Sequence, residues 1–223
     1  TVVERLAAVA PAAGELGLTD ALGALAGEGE PVRAVRVEGL WVDATYPWDL
    51  PTLAAELLSD GLVDEPETTP GSGLFVDDAA VVHPDATLRP PVVVGPDVTV
   101  GPAAVVGPHV ALGRNAAVAP GAVVDRTVVD ADARVGPNAT VLDSVLGQAA
   151  RIGPGVTVPG GTTDVRVDTR IHEGVSLGAV FADRSRVEGG ATVLSGTLVG
   201  SDAHVAAGSR VSGTVADGGE YLG

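Results

Sequence analysis

A six-residue rhythm limits this chain more than any other feature. A large aliphatic residue returns at Val82, Leu88, Val94, Val100, Val106, Leu112, Val118 and Val124. Gly follows it at Gly95, Gly101, Gly107 and Gly113, and Pro comes next at Pro84, Pro90, Pro96, Pro102, Pro108 and Pro120. Two residues before each aliphatic stands a small or β-branched residue, as at Ala86, Val92, Val98, Ala104, Val110, Ala116 and Ala122. Internal repetition of this kind specifies stacked units that bury a face only against one another. Strands of a sandwich would show plain alternation and irregular turns, not a strict six.

Six residues form one flat side of a triangular coil. Three sides return the chain above its start at strand spacing, about 4.8 Å. The large aliphatic points inward and stacks on its counterparts, each burial contributing about 1.5–3 kcal/mol. Gly and Pro turn the corners: Gly is expected to supply positive φ there, and Pro fixes φ while giving up an N–H. The expected fold is therefore mainly β, a parallel β-helix over residues 74–217. The register slips to five between Val124 and Val129, and again between Val141 and Leu146. Residues 159–178 (PGGTTDVRVDTRIHEGVSLG) break the pattern and are expected to project as an arm. The rhythm resumes at Phe181 and runs through Val187, Val193, Val199, Val205 and Val211, leaving residues 218–223 as a tail that covers or leaves the last coil.

Composition supports thin layers: aromatics are 3% of the 223 residues while hydrophobics reach 45%. The absence of Cys excludes disulfides, zinc–thiolate sites and thiol nucleophiles. Acidic residues outnumber basic ones 29 to 13, giving a net charge of −16. Every basic residue is Arg. Such a surface repels nucleic acid and anionic membranes, and no window is apolar for long enough to span a bilayer. An acidic, Lys-free chain is what a cytoplasmic protein of a salt-loving organism would carry, although GC-rich coding gives a similar composition. The chain opens on Thr1 with no Met anywhere, so it is expected to be processed or cut from something longer.

Upstream of the repeats the pattern changes. Thr19 and Asp20 open a short helix ending near Gly27, Val32 to Val37 alternates like a strand, and Pro51 to Leu58 reads as a helix with Leu53, Leu57 and Leu58 on one side. Residues 60–73 (DGLVDEPETTPGSG) read as a linker. Residues 1–59 hold too few large apolar groups to be an independent domain and look like the end of one, a small α+β remnant.

Two resemblances follow. The repeat resembles the hexapeptide-repeat family, [Leu/Ile/Val]-Gly-x-x-small-x, and that resemblance implies a left-handed β-helix. Parallel crossovers are otherwise right-handed in about 98% of cases. The segments GELGLTDAL (Gly14 to Leu22) and GEPVRAVRVEGLWVDATYPWDL (Gly29 to Leu50) resemble the closing part of the catalytic domain of sugar-1-phosphate nucleotidylyltransferases, some of which continue into such a β-helix. These enzymes join a sugar 1-phosphate to a nucleoside triphosphate and release pyrophosphate, using Mg²⁺ held by carboxylates. The resemblance implies that Asp43, the Asp of Trp-x-Asp, is a metal ligand and that Glu15 lies at the sugar site. As a bland alternative, Asp43 caps a turn and Glu15 is a solvated helix-start carboxylate. The family's glycine-rich phosphate loop is not present in this sequence. The chain is thus expected to be inactive alone, its β-helix serving mainly homotrimer assembly and support of a missing catalytic half.

The bifunctional relatives implied by the same resemblance carry an acetyltransferase in the β-helix, with acetyl-CoA as cofactor and an amino-sugar phosphate as acceptor. Aligned on Ser144-Val145-Leu146-Gly147, their catalytic His falls at Leu142 and their Tyr at Val145. A Leu cannot act as general base. Arg184, Arg186 and Arg210 lie on the terminal coils, where the phosphates of coenzyme A would sit. A purely structural trimerisation module is the third reading. Four His residues invite comparison with zinc β-helix enzymes, but His83, His109, His172 and His204 lack the close pairing such sites require.

Overall fold

The computed structural model describes residues 18–39, 41–42, 44–63, 72–167 and 169–223. The chain forms two compact units, one up to Trp41 and one from Val42 to Gly223. The first contains helix α1 (Leu18–Gly27). The alternating stretch Val32 to Val37 is not a strand: it has no ladder partner among the described residues, and Val32, Val35 and Val37 face water. Alternation makes a strand only where another strand receives its hydrogen bonds.

The second unit is a left-handed parallel β-helix; its described residues form 25 short strands, β1 (Leu74–Val76) to β25 (Glu220–Tyr221), two of which belong to the arm and the rest to the coils. Sheet 1 holds eight strands, those starting at Leu74, Val92, Val110, Val128, Val145, Ala179, Thr197 and Thr214. Sheet 2 also holds eight, starting at Val81, Thr99, Ala117, Arg134, Arg151, Arg186, His204 and Glu220. Sheet 3 holds seven, from the strand at Thr87 to that at Arg210. Successive coils stack in parallel, with Val82 beside Val100 and Val100 beside Val118. Through the two slips the partners lie one residue closer, Val118 beside Val135 and Val135 beside Ile152. The rungs stay aligned because each slip removes one residue from a corner, not from a strand. The tail continues the coil, with Tyr221 paired to Val205 and packed on the core.

That core is one continuous column. Val94, Val100, Val106, Leu112, Val118 and Val124 are all at most 1% exposed, and so are their small neighbours Val98, Ala104, Val110, Ala116 and Ala122. Both positions of the sequence repeat therefore point inward.

Gly107 has the expected positive φ, +104, but the other repeat glycines have a different role. Gly95, Gly101, Gly113, Gly136 and Gly153 do not have positive φ. The positive-φ residue lies two places on, at Asp97, Ala103, Asn115 and Asn138, or at glycines such as Gly121 and Gly155. Pro followed by a left-handed residue makes a type II turn at these corners, except at Asn115, where Arg114 takes the place of Pro. The repeat glycine is required because the next coil's backbone lies against it: a Cβ on Gly101 would sit 2.8 Å from the Pro120 nitrogen, and one on Gly153 2.7 Å from the Gly189 nitrogen. Close approach, not torsional freedom, fixes this glycine.

Candidate functional site

Sheet 1 differs from the other two sheets in its outer face. Strand alternation turns Val93, Ala111, Val128, Val145, Val180 and Leu198 away from the core. That apolar column is covered by the chain's own residues. Helix α2 (Asp49–Ser59) lies on the strands Val110–Leu112 and Val128–Val129 and buries Pro51 and Leu58. Its start is set by Asp49, whose carboxylate accepts the Tyr46 N–H at 2.8 Å. Its end is set by Gly61 at φ +66, with the Leu62 N–H returning to Leu57 O at 2.9 Å.

The segment expected to project as an arm is an antiparallel hairpin of β16 (Thr162–Val167) and β17 (Arg170–Ser176). A second, smaller core joins it to the strap before α2. Trp48, Val165, Leu177 and Val180 are buried together, flanked by Tyr46, Val167, Val175 and Leu198. Tyr46 and Trp48 stack with centroids 4.5 Å apart, and His172 meets them edge-on at 4.5 Å and tilted at 5.4 Å. The His172 Nε2 is buried there without a hydrogen-bond partner. Beside this cluster opens an apolar cavity of about 420 Å³, walled by Trp48, Val180, Leu198 and Val215, with Asp217 as its one charged lining residue.

The base of the arm is held by a charged corner. At the first slip Arg126 takes positive φ and the Thr127 hydroxyl donates to Asp125 O at 2.7 Å. At the second, Asp143 takes positive φ and the Ser144 hydroxyl donates to Leu142 O at 2.7 Å. Asp143 is 4% exposed and accepts from Arg126 Nε at 2.5 Å, Arg126 Nη2 at 3.2 Å and the Gly161 N–H at 2.8 Å. Both oxygens of Asp143 are taken up by protein donors, which makes it an anchor. Asp125 Oδ1 lies 3.1 Å from Arg126 Nη1 but is not aligned for a hydrogen bond, so that contact is electrostatic. Burial raises the Asp125 carboxyl above the usual range, Arg126 opposes this, and Asp143 reinforces it.

Of the residues singled out in the sequence, Glu15 and Asp43 lie outside the described residues. Leu142 stands beside Asp125 in the ladder, and Val145 is buried on the outer face of sheet 1. Arg184 is spent on an exposed double hydrogen bond to Asp202, both contacts 2.8 Å. Arg186 and Arg210 lie on different sheets, 2 and 3. The four His residues are not brought together, and among the described residues no group of three or more His, Asp or Glu is arranged to hold a metal ion. Sequence reasoning missed the Asp125–Arg126–Asp143 corner and the packing of Tyr46, Trp48 and His172. The two five-residue slips, each placing an Asp at a corner, were the available signal for the first.

No curated protein matches the chain. Solved structures with similar folds include a hexapeptide transferase family protein from Anaplasma phagocytophilum, with 18% identity, a TM-score of 0.39, and coverage of 66% of this chain and 72% of that one. The acetyltransferase domain of PglB from Neisseria gonorrhoeae shares 15% identity at TM-score 0.39, covering 75% and 64%. A mutant of perosamine N-acetyltransferase from Caulobacter crescentus, solved with CoA and GDP-perosamine, shares 20% at TM-score 0.33, covering 66% and 51%. Residues 88–177, which carry the middle coils and the arm, match the GMPPB C-terminal domain, a family model of the sugar-1-phosphate nucleotidylyltransferases.

Proposed function

We propose that this chain is the closing, β-helical part of a sugar-1-phosphate nucleotidylyltransferase, and that its β-helix serves assembly and support, with the chemistry done elsewhere. The observation that carries the reading is the match of residues 88–177 to the C-terminal domain of that family. The upstream motifs agree with it independently, and one of them has a structural role. Pro47-Trp48-Asp49-Leu50 is the segment that straps onto sheet 1, with Trp48 buried between the arm and Val180.

On this reading Asp43 is the Mg²⁺ ligand and Glu15 belongs to the sugar site. Mg²⁺ would neutralise the phosphate charge during pyrophosphate release. Asp43 would hold the ion together with carboxylates of the catalytic part. Assembly as a homotrimer and a place in a salt-rich cytoplasm belong to the same proposal. Among the described residues no helix is long and apolar enough to cross a membrane.

The test is to read the coding sequence continuous with Thr1 and assay its product. A glycine-rich phosphate loop upstream, with Mg²⁺-dependent pyrophosphate release from a nucleoside triphosphate and a sugar 1-phosphate, is the expected result. Its absence, or release of free thiol from acetyl-CoA with an amino-sugar phosphate acceptor, would overturn the proposal in favour of acyl transfer.

A further inference from the structure

The outer face of sheet 2 carries a charge pattern that the proposed function does not use. From the N-terminal end its outward positions are Val81, Thr99 and Ala117, all neutral; then come Arg134, Arg151 and Arg186. These three arginines are direct ladder partners on consecutive coils, one strand spacing or about 4.8 Å apart. Like charges placed directly opposite each other across a sheet are unfavourable. The chain has only 13 basic residues against 29 acidic ones, and it spends three of them in one column.

The neighbouring acids offset that column only in part: Arg186 adds to the field that lowers the Asp202 carboxyl, but the direct partner of Asp202 is Arg184. Asp132 accepts from the Asn115 amide at 2.6 Å, Asp202 is held by Arg184, and Glu188 pairs with His204 at 3.2 Å. Arg134 is fixed in place by donating to the backbone oxygens of Asn115 and Ala133 and to the Asn115 side chain. Arg151 and Arg186 are exposed and, among the described residues, make no ion pair or side-chain hydrogen bond. The strip is short and closed at both ends, by Ala117 above and by the Glu188–His204 pair below.

We propose that Arg134, Arg151 and Arg186 form a binding ladder for a small polyphosphate anion, such as the phosphate chain of a nucleotide or an inorganic polyphosphate. A guanidinium fork engages phosphate oxygens in pairs; the open forks of Arg151 and Arg186, with the internally held Arg134 guanidinium adding its charge, make a line about 10 Å long that matches a linear anion carrying several charged groups. The net negative charge of the chain does not forbid this. Screening reduces charges more than about 8 Å away at physiological salt, leaving the local ladder to set the field. A small anion fits better than an acidic protein surface because the basic strip ends after three coils. The inference stands whether or not the proposed function does.

The test is titration calorimetry and thermal melting of the whole chain at physiological salt with orthophosphate, pyrophosphate and tripolyphosphate. Affinity is expected to rise along that series and to fall with added salt. Arg151→Ala should weaken tripolyphosphate about tenfold or more, as loss of a charge-assisted hydrogen-bonding group does, and Arg151→Ala with Arg186→Ala should abolish binding. Arg210→Ala, on sheet 3, should leave it unchanged. Arg151→Lys keeps the charge without the fork and should show an intermediate loss. Equal binding of all three anions, or binding indifferent to Arg151 and Arg186, would overturn the proposal. So would a change in oligomeric mass of the unliganded double variant, which would assign the ladder to a contact between chains.

Discussion

Gly153→Ala and Gly155→Ala separate two explanations of the repeat. Gly155 has φ +63 and open space around it, whereas Gly153 has ordinary φ and the next coil's backbone against it. A Cβ on Gly153 would lie 2.7 Å from Gly189 N and 2.8 Å from both Glu188 C and Val187 O. Reaching ordinary contact requires the two coils to separate by about half an ångström or more, which overpacks the wall at a cost of about 1–3 kcal/mol. The Gly153 N–H to Val187 O bond, 2.7 Å long, would stretch with it and forfeit about 1 kcal/mol more. The sum, about 2–4 kcal/mol, corresponds to a fall in Tm of about 5–15 °C for a chain of this size. Gly155→Ala needs only a left-handed alanine, costing about 1–2 kcal/mol, and Ala103 and Ala149 already adopt that conformation at equivalent corners. Urea unfolding of both variants decides the matter. A Gly155 variant less stable than the Gly153 variant would refute close approach as the reason for the repeat glycine.

Three further outcomes follow from the site. Asp143→Ala leaves the Gly161 N–H and the Arg126 guanidinium without their acceptor; since Arg126 is half-exposed and water can replace part of the loss, about 1–2 kcal/mol is expected, with faster proteolysis inside residues 159–178. Trp48→Ala empties the middle of the second core and should cost about 3–5 kcal/mol, with amide protection lost first in α2 and the arm. Asp125 should produce a pH signature. Burial raises its folded pKa, so its contribution is fully present below the ordinary carboxylate value and is lost as pH rises through the folded value. Asp125→Asn should therefore be more stable relative to the parent at pH 7 than at pH 3, by urea melts at both; an unchanged difference would dismiss the buried-carboxylate reading.

The coil was legible because its determinant is periodic: inward Val and Leu must recur wherever a rung stacks, and any polar residue there would be costly. The arm was legible as a break in that period, but its hairpin was not: Asp164 to Val167 alternates, yet so short an alternation does not announce a partner strand at Arg170 to Ser176. The role of Gly95, Gly101 and Gly113 was misread because glycine sequence alone does not distinguish positive φ from close backbone approach. The strand expected at Val32 to Val37 failed for want of a partner, which no local pattern reveals. The strap was half legible. Leu58 was assigned to a helix face, but nothing in the spacing of Tyr46, Trp48 and His172 announced that 124 residues of chain would bring the last ring against the first two. Asp125, Arg126 and Asp143 meet only because two coils stack, so their contact is a tertiary fact.

The most direct measurement is a methyl–methyl nuclear Overhauser spectrum of the chain labelled at Val, Leu and Ile. The coil predicts contacts that run forward in step: Val82 with Val100, Val100 with Val118, Val118 with Val135, and Val135 with Ile152. Contacts running in opposite directions along two segments, as antiparallel strands give, would contradict the β-helix, and with it the placement of the strap, the arm and the arginine ladder.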